Sequence, residues 1–134
     1  ARELMPRFED LVPDPVLRRA RHIVGENRRV LEAVGHLGRG DAAAFGRLMF
    51  ESHASSRTNF ENSTPELDAL VSLAAEAPGI LGSRLTGGGF GGATVSLVER
   101  ARARAIAGDL AARYRQQTGH DSRAWICTPS QGAR

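Results

Sequence analysis

Five glycines fall within the six residues from Gly87 to Gly92, directly before the alternating β-branched segment Ala93 to Val98. Glycine reaches positive φ without steric cost and lets a backbone lie close to another group. It also loses the most conformational freedom when ordered, so a loop this rich in it needs a compensating contact. The pattern fixes a local order of strand, glycine loop and strand. Weak strand character runs from Ile80 to Thr86, and Ala93 to Val98 alternates Thr94 and Ser96 on one face with Val95 and Leu97 on the other.

Around this centre the chain reads as helical. Residues 1–14 hold Pro6 and Pro13 and form an expected entry arm or linker; residues 15–134 form the expected domain. A first helix is expected from Pro15 to Leu37, capped by Asp14, with Val16, Ala20, Ile23, Val24, Leu31 and Val34 on one buried face. Asp41 caps a second helix whose inner side carries Phe45, Leu48 and Met49. Helical order is expected to fade across the polar stretch Ser52 to Thr58. Ser63-Thr-Pro-Glu66 fits a capping box that starts a third helix, with Leu67, Leu70, Val71 and Ala74 as its stripe. Glu99 to Gln117 is a fourth, carrying Ile106, Leu110 and Tyr114, and Arg123 to Thr128 is expected as a last strand. Three helices followed by strand, loop, strand, helix and strand define an α+β two-layer sandwich, a small antiparallel sheet with helices on one face.

Composition narrows the function classes. At 134 residues the chain is one domain, with 41% apolar and 25% charged residues. It holds no apolar run long enough for a membrane span, and its start lacks both a signal core and a Met, so it reads as a piece of something longer. The lone Cys127 cannot form an internal disulfide, which points to a reducing, cytoplasmic setting, and its apolar neighbours predict a buried, inert thiol. All 18 basic residues are Arg, with a net charge of +3. They are spread among acids, which argues against a nucleic-acid surface and, with no Lys at all, excludes a Schiff base.

Gly87-x-Gly89-x-x-Gly92 satisfies the spacing of a dinucleotide fingerprint, but that motif requires a helix after the loop, and a strand follows here. A phosphate loop of the Gly-Lys-Ser/Thr type is absent. A plain hairpin needs one or two glycines rather than five. The plain hairpin stays open as the simpler reading, but the glycine surplus favours a bare backbone that approaches a phosphate directly, as successive N–H groups do in an anion-binding concavity, or that approaches a second loop holding one.

Arg84-Leu-Thr-Gly-Gly-Gly-Phe-Gly-Gly-Ala-Thr-Val-Ser-Leu-Val98 resembles the third conserved motif of the GHMP small-molecule kinases, and of the galactokinases among them. Further segments resemble the C-terminal part of that family in the same order: Arg19 to Asn27, Gly40-Asp41 with Phe45 to Met49, Glu51 to Ser55, Pro65 to Asp68, and Pro129 to Ala133. Two departures stand out. Thr58-Asn-Phe-Glu-Asn-Ser-Thr64 occupies the place of the family's common Asp-Asp-Tyr-Glu-Val-Ser-Cys, and Ala93 stands where Cys is frequent.

The resemblance implies a ferredoxin-like C-terminal domain of an ATP- and Mg²⁺-dependent sugar kinase, its missing N-terminal domain as partner and a small sugar as substrate. No nucleic-acid or membrane partner is implied, and neither ATP nor Mg²⁺ is expected to bind this piece firmly by itself. It places Thr86, Gly87, Gly88, Gly89, Phe90, Gly91 and Gly92 as a wall beside the phosphates. It nominates no catalytic residue and no metal ligand on this chain. Arg84 either reaches a phosphate or pairs with a helix acid. The main alternative is a non-catalytic ferredoxin-like module that binds a ligand or a protein; a weaker one is nucleic-acid binding through the arginines.

Other titratable residues have plainer readings. His53 beside Ser52 lacks a third partner at helical spacing and reads as a helix-surface or core-edge histidine. His22 and Glu26 share a helix face without a second pair, and His36 and His120 lie near turns, so no metal site is expected.

Overall fold

The computed structural model describes residues 11–131. Helix α1 spans Asp14–Gly38, α2 spans Ala42–Ser55 and α3 spans Pro65–Glu76. Strands β1 (Ile80–Thr86) and β2 (Ala93–Val98) follow, then a 3-10 turn at Arg100–Arg102 and helix α4 (Ala103–Thr118). The strands pair antiparallel, with Ser83 opposite Ser96 and Thr86 opposite Ala93, so the glycine loop closes the hairpin as its spacing predicts. The α+β arrangement is present, with two strands among the described residues.

Three local signals work as expected. The Asp41 carboxylate accepts from the Ala44 N–H at 2.9 Å and starts α2. Gly119 turns left-handed at φ 76°, and its N–H closes α4 onto the Arg115 carbonyl at 2.8 Å. Leu67, Val71 and Ala74 of α3 bury beside Leu85 of β1, while Leu48 and Met49 of α2 bury as well. Two caps sit elsewhere than expected. Asp14 lies inside α1 and pairs with Arg18 at 2.9 Å, leaving Pro13 at the cap without a side-chain bond. Thr64, not Ser63, caps α3 by accepting from the Leu67 N–H; Ser63 instead donates to Asp68 at 2.6 Å.

Where Gly46 crosses Gly82, helix α2 meets β1 with no side chain between them. A methyl on Gly46 would lie 2.0 Å from the Leu81 carbonyl oxygen, and one on Gly82 would lie 2.3 Å from the Gly46 oxygen. The two backbones therefore cross in direct contact, which only glycine permits at either position.

Four expectations are corrected. The stretch Ser52 to Thr58 does not fade: α2 runs to Ser55 and continues as a π-helix over Ser56–Phe60. Ser52, His53 and Ser55 are buried because each finds a partner, Ser52 on Glu26, His53 on Asp68 and Ser55 on His22. On α1, Leu17 and His22 are buried, whereas Val16, Ile23, Val24, Leu31 and Val34 are exposed. The apolar stripe has the helical period but turns outward, because the face meeting α2 is the polar one whose Glu26 and His22 bond Ser52 and Ser55.

Arg123 to Thr128 forms no strand. It lines the same open hollow as β2 without joining its ladder, and a strand outside a ladder has nowhere to place its backbone hydrogen bonds. Cys127 is consequently exposed rather than buried, together with Trp125 and Ile126. The expected entry arm falls mostly on residues 1–10, and the end of the Pro129 to Ala133 segment on residues 132–134; both lie outside the described residues. Among the described residues, no helix is long and apolar enough to cross a membrane.

Candidate functional site: the glycine loop and its supports

The hairpin connection is built almost wholly from left-handed backbone. Gly87, Gly89, Gly91 and Gly92 have φ of 80°, 82°, 118° and 95°, and Phe90 joins them at 58°. A non-glycine residue at positive φ is uncommon, and its strain is held by surrounding contacts. Those contacts lie on one side only. The Phe90 N–H donates to the Asn62 carbonyl at 2.7 Å, and the Asn62 side-chain amide donates to the Gly88 carbonyl at 3.1 Å. Between these two bonds a methyl on Gly89 would strike the Asn62 oxygen at 2.2 Å. On the other side, added methyls at Gly87, Gly88, Gly91 and Gly92 would meet open space, and the Phe90 side chain is 77% exposed. The loop is tied at its back and bare at its front.

The strand that carries the loop is anchored through histidine. His53 Nδ1 accepts from the Leu85 N–H at 3.2 Å, which fixes the proton on Nε2, and Nε2 donates to Asp68 at 3.0 Å. This neutral ring links α2, α3 and β1 two residues before Gly87. Burial lowers its pKa, and the opposing pull of Asp68 does not restore it. His22 is likewise lowered by burial; its Nδ1 lies 3.0 Å from Ser55 Oγ, and its ring packs on Phe60 with centroids 4.7 Å apart.

Arg84 lies on β1 and turns toward α1. Its Nε donates to the Leu85 carbonyl at 3.1 Å, and its Nη1 sits 3.5 Å from Glu26. Glu26 also accepts from Arg29 at 2.6 Å and from Ser52 at 2.8 Å. Burial works to raise the Glu26 pKa, yet Ser52 and Arg29, with Arg84 farther out, together bring it below the ordinary carboxylate value. His22 and Glu26 are thus occupied by separate partners. Among the described residues, no group of three His, Cys, Asp or Glu side chains could hold a metal ion.

A hollow of about 1900 Å³ opens from Gly91 and Gly92 along the outer face of β2, past Val95 and Leu97, to Trp125. Pockets for single small ligands measure about 300–1,000 Å³. This one exceeds that range.

The loop is legible in the sequence, but its support is not. Asn62 follows Glu61, a second left-handed residue at φ 59° whose carboxylate is gripped by Arg18 and Arg19 of α1. The only signal in the sequence was that Asn62 falls within the segment departing from the family pattern.

The fold and this loop define a class, and the chain belongs to the GHMP kinases C-terminal family, whose model matches residues 30–116. Within it the chain is similar to galactokinases: 50% identical to that of Roseiflexus sp. (strain RS-1) over 90% of its length, and 58% identical to that of Homo sapiens over 75%. The Lactococcus lactis galactokinase solved with galactose superposes with a TM-score of 0.84 at 33% identity, covering 90% of the chain and 31% of that structure. The chain spans 31% and 26% of the Roseiflexus and human galactokinases, about a third of their length or less.

Proposed function

We propose that this chain is the C-terminal domain of a galactokinase-like sugar kinase. The observation that carries this reading is the one-sided glycine loop, tied behind to Asn62 and bare in front at the mouth of an uncovered hollow. In the proposed reaction galactose O1 attacks the γ-phosphorus of ATP, the bond from γ-phosphorus to the β–γ bridging oxygen breaks, and ADP departs. Mg²⁺ arrives with the nucleotide as part of the substrate. Such transfers depend on positioning and on charge stabilisation more than on covalent help from the protein. The chain's part is to present the loop Thr86 to Gly92 as a wall beside the phosphates. The base that accepts the O1 proton belongs to the partner domain, as does most of the sugar pocket. Arg84, tethered loosely to Glu26, is the side chain that can swing toward a phosphate once that domain is in place.

Two further features support a shared site. The outward stripe of α1 and the hollow beside β2 are apolar surfaces of the kind that cover one another at domain boundaries. The test is a chimera in which this chain replaces the matching third of the Roseiflexus galactokinase. ATP- and Mg²⁺-dependent formation of galactose 1-phosphate by the chimera, and none by the chain alone, is the expected result. Turnover by the chain alone would overturn the division of roles; an inactive chimera that folds would overturn the activity.

A further inference from the structure

The glycine loop is held from behind by a side chain whose own position is set three contacts away. Arg18 and Arg19 clamp the Glu61 carboxylate, and Arg19 also donates to the Asn59 carbonyl. The clamp holds the left-handed corner at Glu61, by which the chain leaves the π-helix. That corner delivers Asn62 against the loop with only 7% of its surface exposed. Asn62 then makes two bonds that straddle Gly89, its backbone oxygen accepting from the Phe90 N–H and its amide nitrogen donating to the Gly88 carbonyl.

This arrangement carries a stability cost. Asn62 Oδ1 is buried and has no hydrogen-bond partner, and an unpaired buried acceptor is destabilising. An aliphatic side chain of similar size would avoid that penalty but could not donate to Gly88. The amide is therefore poorly explained by stability and well explained by what it does to the loop.

We infer that Asn62 is the positioning residue of the glycine loop. It holds the peptide groups on either side of Gly89 in one geometry, so that the loop's bare front meets a phosphate-bearing substrate without first having to order. The part concerning phosphate rests on the kinase reading above. The tie between Asn62 and the loop does not.

The test is Asn62→Val in the chimera, read by amide hydrogen exchange, thermal melting and steady-state kinetics. Loss of one hydrogen bond should speed exchange across residues 86–92 roughly 2- to 10-fold. The melting temperature should hold or rise, because the orphaned oxygen is gone. KM for MgATP should rise by a similar factor while KM for galactose changes by less than about twofold. Gly89→Ala, which drives the loop off the Asn62 oxygen from the opposite side, should give the same loop and MgATP signature and serves if Asn62→Val does not fold. Unchanged exchange over residues 86–92 would overturn the inference. So would a fall in melting temperature with faster exchange everywhere, the mark of a merely structural residue. Faster loop exchange with an unchanged KM for MgATP would instead overturn the phosphate-side reading and leave the tie standing.

Discussion

His53 shows how one residue can join three elements only while it stays neutral. Its Nδ1 is the acceptor for the Leu85 N–H, so a proton there would set two donors against each other. The charged and titratable groups near it are Asp68 on α3, which favours the proton, and Arg57 and Arg84, which oppose it. Its pKa in the fold lies below the ordinary 6.5. As pH falls below 6.5, the unfolded chain takes up a proton that the fold refuses, so stability declines with falling pH in that window and is unaffected above it. His22, lowered in the same direction, adds to the same slope. Glu26, lowered from 4.5, contributes stability that is lost only at more acid pH. Urea unfolding of His53→Gln, measured from pH 7 downward, should show a shallower decline just below 6.5 than the unaltered chain. The part due to His22 and the separate acid limb should both be retained. An unaltered slope would show that His53 is not the group titrating there.

At the scale of elements, the segments that were legible in the sequence are those whose signal is local. Gly87 to Gly92 followed by Ala93 to Val98 could be read as a loop and a strand because backbone freedom and β-branching act on the residues themselves. The cap of α3 was legible to within one residue, and it gives a direct measurement: Thr64→Ala should destabilise the fold by about 1 kcal/mol in chemical denaturation, with Ser63→Ala acting through Asp68 instead. What was not legible depends on partners distant along the chain. The periodicity of α1 marks a stripe but not what covers it, so Val16, Leu31 and Val34 have the spacing of a buried face and lie outside. Arg123 to Thr128 has strand composition, yet a strand requires a neighbouring edge. Asn62 reaches a loop 26 residues away, and no local preference encodes that bond.

For the whole molecule, the exposed stripe of α1 separates stability from assembly. Leu31 is 75% exposed and Val34 65%, so the pair Leu31→Glu and Val34→Glu should change the stability of the isolated chain by no more than about 0.5 kcal/mol each. In the chimera the same pair should weaken the joint between domains, seen as lost kinase activity or as separate melting of the two parts. Full activity with both changes would remove α1 from the proposed boundary.

The crossing of Gly46 over Gly82 has a mechanical consequence. Most helix-to-sheet contacts have some play, because interposed side chains can change rotamer and take up small displacements. At this one crossing backbone rests on backbone, and no side chain there can rotate. A tilt of α2 must therefore carry β1 with it as one lever, and the glycine hairpin sits at the lever's tip.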